Sequence, residues 1–332
     1  MTTKPKIFID GESGTTGLQI YSRLNHRDDI ELVSIEASKR KDATERTKLI
    51  NAVDVIILCL PDDAAREAVS LVSNTRVKIL DASTAHRTAK DWVYGFPELN
   101  PGQREKIASA QFVSNPGCYP TGFLACIRPL IAKGLLNSNF PITVNAVSGY
   151  SGGGKNLIKQ YHTFHEQQVG AESLHPYGIY SLQFGHKHVK EMHQYSGLAS
   201  PPLFVPAVGD FEQGMLVQIP LPLGTLDNPP SGKIIHQAIA DYYQSEKFMQ
   251  VAPFQDSTLL RDGTFLDAMS TTGYSASHLN DTNIVQVFVF ANDTTKEVLL
   301  VARLDNLGKG ASGAAVQNLN IMLGFPEELG LS

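Results

Sequence analysis

The sequence predicts an α/β protein: a Rossmann-type, doubly wound parallel sheet followed by an α+β domain with a mixed or antiparallel sheet. Strand-like and helix-like runs alternate through the first third of the chain. One of these strands, residues 53–60 (VDVIILCL), is apolar at nearly every position. Parallel strands covered on both faces by helices have this composition, and the alternation gives them crossover helices.

In the first domain the strands and helices alternate over residues 6–10, 16–24, 30–37, 42–52, 53–60, 64–72 and 77–80. Later strand candidates, with fewer helices between them, are 142–148, 203–209, 215–222, 284–291 and 298–304. A last helix over 313–323 has apolar residues spaced to pack back onto the first domain. We therefore expect a dinucleotide-binding domain over 1–117, completed by 311–332, and a catalytic and oligomerisation domain over 118–310.

Composition and charge limit the classes of partner that we expect for this chain. The net charge is −5, and the one basic block is Lys39-Arg40-Lys41, whereas nucleic-acid binding needs a broad basic face. No apolar run approaches the roughly 20 residues of a membrane span. The three cysteines and the absence of a signal peptide predict a cytoplasmic protein without disulfides. A small-molecule substrate and a homodimer or homotetramer are expected, with no nucleic acid and no membrane.

A glycine-rich segment follows the first strand and opens a helix: Gly11-Glu12-Ser13-Gly14-Thr15-Thr16-Gly17. Its GxxGxxG spacing differs from the standard GxGxxG, and a tight β-α turn is the plainer interpretation. The strand-turn-helix context favours a pyrophosphate on the helix N-terminus. The predicted cofactor contacts are Gly11, Ser13, Gly14, Thr15, Thr16, Gly17 and, after the third strand, Pro61. The Glu12 carboxylate should point away from the pyrophosphate, into solvent or onto a partner.

The end of the second strand bears on the choice of cofactor. Glu36 lies where an acid would bind the ribose hydroxyls of NAD, but Ser38 and Arg40 follow in a cationic run suited to a 2′-phosphate. We predict NADP, held by Ser38 and Arg40. A solvated turn is the alternative interpretation.

The segment 114–122 (SNPGCYPTG) lies between a short strand, 111–113, and an apolar helical run, 123–130. Cys118 is thus near a helix N-terminus, where the helix dipole favours thiolate over thiol and lowers the pKa. This pattern predicts a nucleophile. Cys59 and Cys126 lie inside apolar elements and are interpreted as buried hydrophobic residues.

Two further segments carry polar chemistry. Residues 180–191 (YSLQFGHKHVKE) concentrate Tyr180, His186, His188 and Glu191, and histidine exchanges protons near neutral pH. A metal site with His162 and His165 is a weaker alternative, and we predict no metal. The second segment, 148–155 (SGYSGGGK), could bind a phosphate or carboxylate through Ser148, Gly149, Gly152 and Lys155, or be a linker.

Several stretches in the same order resemble the shorter, second type of the N-acetyl-γ-glutamyl-phosphate reductase family of arginine biosynthesis. They are 11–17, 81–87 (DASTAHR), 94–100 (YGFPELN), 114–121, 148–155, 180–191 and 305–325 (DNLGKGASGAAVQNLNIMLGF). The last stretch is also similar to aspartate-semialdehyde dehydrogenase. The sequence departs from the commoner form of the family at Glu12 and at Lys190, before Glu191.

The resemblance implies an NADPH-dependent reduction of an acyl phosphate to an aldehyde through a Cys118 thioester, with His186 as the acid–base residue. It also implies that Tyr180, His188 and Glu191 line the site and that Arg87 meets the substrate. Ser83, Asn306 and Gln317 match positions on the cofactor side. An aspartate-semialdehyde dehydrogenase and a non-catalytic NADP-binding regulator remain the alternatives.

Overall fold

The computed structural model describes residues 4–39, 42–167, 176–255 and 279–332. The chain divides into two units, Met1–Pro116 with Ala311–Ser332, and Gly117–Gly310. The predicted cofactor contact Arg40 lies outside the described residues.

The first unit contains a parallel sheet whose six described strands lie in the order β2-β1-β3-β4-β6-β5. The strands are β1 (Lys6–Asp10), β2 (Glu31–Val33), β3 (Val55–Leu58), β4 (Lys78–Asp81), β5 (Val93–Tyr94) and β6 (Phe112–Ser114). Every pairing among them is parallel. The predicted parallel sheet is confirmed.

Helices cover both faces of this sheet. They are α1 (Thr15–Leu24), α2 (Ala43–Ile50), α3 (Asp62–Ser70), α4 (Gln103–Ser109) and the C-terminal helix Gly313–Leu323. Ile7 and Ile9 pack in one apolar cluster, which includes Leu319 of the C-terminal helix. Phe8, between them, packs in the other cluster, because successive side chains of a strand point to opposite faces.

The second strand is shorter than predicted. It ends at Val33, not near residue 37, and Ala37–Lys39 forms a short 3-10 helix. β2 lies at the sheet edge and pairs with β1 through three residues only, so little holds the chain extended beyond Val33. Glu36 and Lys39 form an exposed ion pair of 3.6 Å across this turn.

The second unit contains a mixed sheet in the order β11-β12-β13-β10-β7-β9-β8. Its strands are β7 (Thr143–Gly149), β8 (Tyr177–Ile179), β9 (Leu203–Gly209), β10 (Met215–Pro222), β11 (Met249–Val251), β12 (Val285–Asn292) and β13 (Glu297–Leu304). The β7–β9 and β11–β12 pairs are parallel and the other described pairs antiparallel, as predicted for a mixed sheet.

The described residues of this unit form four α-helices beside the sheet: α5 (Cys118–Ala132), α6 (Gly154–Gln167), α7 (His188–Ser196) and α8 (Gly232–Tyr242). Most residues of α5 are buried, so its first turn is held firmly. Over the ranges that the structure describes, no helix is both long enough and apolar enough to span a membrane.

Candidate functional site

The glycine turn after β1 brings backbone close to backbone. Gly11 has φ +91°, and a Cβ there would collide with the Cys59 carbonyl oxygen. A Cβ at Gly17 would collide with the Gly11 carbonyl oxygen. α1 then begins after Gly14 without a side-chain cap. The first N–H groups of a helix have no intrahelical acceptor, so this turn fits a pyrophosphate.

A pocket of about 190 Å³ adjoins the turn. It is lined by Phe8, Ile9, Asp10, Gly11, Glu12, Ser13, Ile35, Arg46 and Leu60. Gly11 and Ser13 were predicted cofactor contacts, whereas Asp10, Ile35 and Arg46 were missed. Arg46 comes from α2, and no sequence motif marks it. The volume and the glycine turn together suit one end of a dinucleotide.

Charges in this pocket are paired. Arg46 Nε donates to Asp10 Oδ2 at 2.8 Å, and Ser34 Oγ donates to Glu12 Oε2 at 3.2 Å. Burial raises the pKa of Asp10, and the Arg46 guanidinium opposes that rise. The Glu12 carboxylate thus has a hydrogen-bond partner on the strand β2 side of the turn.

The other predicted residues of the first unit take separate positions. Thr15 and Thr16 lie in the first turn of α1, Ser38 is exposed in the 3-10 helix, and Pro61 directly precedes α3.

Around β4, Ser83 Oγ donates to the fully buried Asp81, and Arg87 Nη2 donates to the Ala82 carbonyl. Gln317 is buried and donates to Glu98 at 2.8 Å.

Helix α5 begins at Cys118 itself, five residues earlier than the apolar run predicts. The half-buried Cys118 is the first helical residue, with Gly117 as N-cap. Gly117 N–H donates to Glu191 Oε2 at 3.0 Å, and Glu191 is 2% exposed. The buried carboxylate holds the turn that presents the sulfur to the positive end of the helix dipole.

Gly310 is a site residue that sequence reasoning missed. A Cβ at this position would lie 2.7 Å from Cys118 Cβ and 3.0 Å from the Asp305 carbonyl oxygen. Any side chain there would crowd Cys118. The glycine-rich run 305–313 was a usable signal, but the contact spans nearly two hundred residues of chain.

Tyr119 and Tyr180 interact electrostatically with Cys118, and their rings lie against His186. A Cys118 thiolate is near enough to both tyrosines to raise the pKa of Tyr119 and of Tyr180, although burial is the larger cause for each. Tyr180 Oη lies 3.2 Å from Tyr119 Oη and 3.4 Å from His186 Nε2. His188, buried, stacks edge-on with the His186 ring at 4.8 Å between centroids. Four predicted residues thus lie in one cluster with Tyr119, which was not predicted.

His186 is neutral near pH 7. Burial, and secondly the charge of Lys187, lower its pKa to about 4. Since an unfolded histidine titrates near 6.5, the unfolded chain binds a proton between pH 4 and 6.5 that the folded chain does not. Protonation of His186 in the unfolded chain therefore lowers the free energy of unfolding as the pH falls from about 6.5 to 4.

We predict that Lys187→Met raises the His186 midpoint toward 6.5, because it removes a positive charge that opposes protonation. NMR titration of the histidine ring carbons measures this shift. Lys190→Met, which replaces an exposed lysine in the first turn of α7, is the matched control and should leave the midpoint in place. An equal shift in both variants would contradict the assignment of this effect to Lys187.

The glycine-rich segment 148–155 is a packed turn. The N–H groups of Gly149, Tyr150 and Ser151 donate to backbone carbonyls of residues 214, 211 and 212. An anion here would therefore meet Gly152 and the exposed Lys155, not those three amides.

The buried Asn306 anchors the turn, donating to Ser151 Oγ at 2.9 Å and accepting from Gly214 N–H. Ser148 is buried and hydrogen-bonds Tyr119.

In the described part of the chain, no group of three or more histidine, cysteine, aspartate or glutamate side chains is placed to hold a metal ion. His165 Nε2 instead lies 2.9 Å from Asp210 Oδ1. The cluster around Cys118 combines a thiol, two imidazoles and two phenols, which are groups for covalent and proton-transfer chemistry.

Two family models match the chain: the NAD binding domain of semialdehyde dehydrogenases over residues 6–110, and their dimerisation domain over 118–306. The chain is 81% identical over 328 residues to N-acetyl-gamma-glutamyl-phosphate reductase 2 of Nostoc sp., covering 99% of each. It is 49% identical to the N-acetyl-gamma-glutamyl-phosphate reductase of Chelativorans sp., covering 96% of this chain and 98% of that protein.

Solved structures share the fold. Aspartate semialdehyde dehydrogenase II from Vibrio cholerae superposes with a TM-score of 0.70 at 14% identity, covering 97% of this chain and 99% of that chain. The Francisella tularensis aspartate semialdehyde dehydrogenase gives 0.69 at 13% identity, with 96% and 100% covered. At this identity the likeness establishes the architecture only.

Proposed function

The chain belongs to the N-acetyl-γ-glutamyl-phosphate reductase family of semialdehyde dehydrogenases, and from this premise we propose that its Cys118 and His186 carry the reaction. The substrate is N-acetyl-γ-glutamyl phosphate and the product N-acetyl-glutamate 5-semialdehyde, a step of arginine biosynthesis, with NADPH as reductant. The observation that carries the proposal is the thiol of Cys118 at the first residue of α5, near Tyr119 and Tyr180, with His186 next to Tyr180.

The first step forms a thioester. The Cys118 thiolate attacks the γ-acyl carbon, giving a tetrahedral oxyanion that N–H donors at the start of α5 stabilise. The carbon–oxygen bond to phosphate then breaks, and the leaving phosphate takes up a proton. Glu191 and Gly310 act indirectly here, because the first fixes Gly117 and the second leaves room for the cysteine.

A nicotinamide cofactor, when bound, supplies the hydride that reduces this thioester. Gly11, Gly14 and Gly17 form the cradle for its pyrophosphate, with Thr15, Thr16 and Ser13 around it. His186, neutral near pH 7, donates a hydrogen bond from its ring N–H to the oxyanion that hydride transfer leaves, and this oxyanion collapses to the aldehyde carbonyl as the Cys118 thiolate leaves. A free carboxylate is a poor hydride acceptor, so the thioester makes reduction feasible.

The remaining predicted residues bind substrate or cofactor in this proposal. Lys155 offers an exposed ammonium for an anionic group of the substrate, near Ser148, Gly149 and Gly152. His188 and Arg87 complete the predicted substrate contacts, and Pro61, Ser83, Asn306 and Gln317 the predicted cofactor side. The enzyme acts in the cytoplasm as a homodimer or homotetramer; the dimerisation-domain match and the three free cysteines support this.

The test is NADPH formation from N-acetyl-glutamate 5-semialdehyde plus phosphate, with aspartate semialdehyde measured beside it. We expect phosphate-dependent turnover of the acetylated substrate and little of the other. Faster turnover of aspartate semialdehyde would overturn the substrate assignment. A non-catalytic regulator would show neither activity, and its Cys118 would react slowly with iodoacetamide at neutral pH.

The cofactor preference gives a second prediction. If Ser38 and Arg40 bind the 2′-phosphate, Ser38→Ala should raise the KM for NADP about tenfold, the loss of one charge-assisted hydrogen bond. The KM for NAD should stay within about twofold, because NAD lacks that phosphate. Ser70→Ala, a serine at the end of α3, is the control. Equal changes for NADP and NAD would contradict 2′-phosphate recognition by Ser38.

A further inference from the structure

A directed chain of hydrogen bonds runs from His186 to a backbone carbonyl in the second unit. Tyr180 Oη lies 3.4 Å from His186 Nε2, and it donates to Tyr119 Oη at 3.2 Å. Tyr119 Oη donates to the Ala207 carbonyl oxygen on β9 at 3.1 Å. At the other side of the imidazole, the His188 N–H donates to His186 Nδ1 at 3.2 Å.

The direction of each bond follows from counting protons. A backbone carbonyl can only accept, so the single hydroxyl proton of Tyr119 points to Ala207. Tyr119 Oη therefore meets Tyr180 with a lone pair, and the hydroxyl proton of Tyr180 points to Tyr119. Tyr180 in turn presents a lone pair to His186 Nε2.

The same count of protons determines which ring nitrogen of His186 carries the proton. Nδ1 accepts from the His188 N–H and so carries no proton, and the one proton of a neutral imidazole must then be on Nε2. The low pKa of His186 supports the neutral form at pH 7. Among the described residues, the titratable groups that face His186 are Tyr119 from α5, Tyr180 and Lys187 from the adjoining loop, and His188 from α7. Cys118 lies near the two tyrosines. Phe204 on β9 covers a further side.

We propose that Tyr119 is a positioning residue that, through Tyr180, keeps His186 in the tautomer protonated at Nε2. In this form the one N–H of His186 donates to Tyr180 in the substrate-free protein, and the same N–H is the donor that serves an oxyanion formed on Cys118 when substrate is bound. The proposal rests on the function proposed above, in which His186 serves that oxyanion. Cys118 and Tyr119 are consecutive in α5, so the turn that presents the sulfur also sets the proton on the imidazole.

Tyr119→Phe tests this proposal, with Tyr243→Phe as the matched control. Both tyrosines are 3% exposed, and each donates to a backbone carbonyl at 3.1 Å, Tyr243 to Ala125 within α5. Only Tyr119 bonds to Tyr180. In Tyr119→Phe the Tyr180 proton is free to turn to Nε2, so the fraction of His186 protonated at Nε2 should fall.

The readout is ¹⁵N NMR of histidine-labelled, substrate-free protein at pH 7.5, with His186 assigned by its loss in His186→Asn. We expect the Nε2–H tautomer in the natural protein and in Tyr243→Phe, and a mixture in Tyr119→Phe. The kcat of Tyr119→Phe should fall about tenfold with KM within about twofold. An Nδ1–H tautomer in the natural protein, or an unchanged tautomer and kcat in Tyr119→Phe, would overturn the proposal.

A second variant, Tyr180→Phe, tests the proposal if Tyr119→Phe folds poorly. Tyr180 is 36% exposed, so Tyr180→Phe should cost little stability. It removes the hydroxyl oxygen that accepts from the His186 Nε2–H, and the His186 Nε2 resonance should therefore shift. An unmoved resonance would overturn the proposal. Because the tautomer is measured without substrate, an expected NMR result beside no turnover of the acetylated semialdehyde would remove the proposed function and leave the hydrogen-bond chain established.

Discussion

Cys118→Ser is expected to lower the phosphate-dependent oxidation of N-acetyl-glutamate 5-semialdehyde by about 10⁴-fold or more. A serine hydroxyl stays protonated near neutral pH at a helix N-terminus, whereas a thiol there is readily ionised. The replacement is nearly isosteric at a half-buried position, so the fold should be retained. Initial rates of NADPH formation measure the loss, and circular dichroism and thermal unfolding establish that the variant folds.

Cys126→Ala is the control for this experiment. Cys126 lies fully buried within the same helix, and burial raises the pKa of its thiol. Burial likewise raises the pKa of Cys59 to about 12, so iodoacetamide at neutral pH should label Cys118 alone, as read by peptide mass spectrometry. Activity in Cys118→Ser comparable to that of Cys126→Ala would remove the covalent step from the mechanism.

Local patterns account for most of the fold and for the position of Cys118 at a helix N-terminus. The apolar run around Val55–Leu58 predicts a strand buried on both faces, and the structure has it at the centre of the first sheet. The strand predicted over residues 30–37 was too long, because apolar character alone does not reveal that β2 lies at a sheet edge. The apolar run 123–130 predicted a helix, but the helix begins five residues earlier, at Cys118, since the buried surroundings of α5 stabilise its first turn.

Residues whose roles depend on distant contacts could not be predicted this way. Tyr119 acts through Tyr180 and Ala207, which lie 61 and 88 residues away in the chain. Arg46 meets Asp10 across 36 residues. These partners are brought together by sheet order and helix packing, which a single sequence does not specify position by position.

Gly310→Ala is expected to lower kcat/KM about 10²-fold while the protein stays folded. The added methyl group would overlap Cys118 Cβ at 2.7 Å and approach the Asp305 carbonyl oxygen at 3.0 Å, so one of the two must move. The Gly310 N–H also donates to that carbonyl at 2.9 Å, which holds the glycine backbone in place. The cysteine is therefore the group that shifts, and a displacement near 1 Å of a reacting atom costs about this much in rate.

Gly224→Ala is the matched control, because a Cβ at Gly224 would meet nothing within 4 Å. Its kcat/KM should equal that of the natural protein. The two glycines separate crowding at the nucleophile from a general cost of substituting glycine, which thermal unfolding of both variants measures independently. If Gly310→Ala kept full activity and the natural rate of Cys118 alkylation, the sulfur would not be positioned by this contact. A parallel fall in both rates would instead identify the close approach of Gly310 to Cys118 as the feature that aims the thiolate.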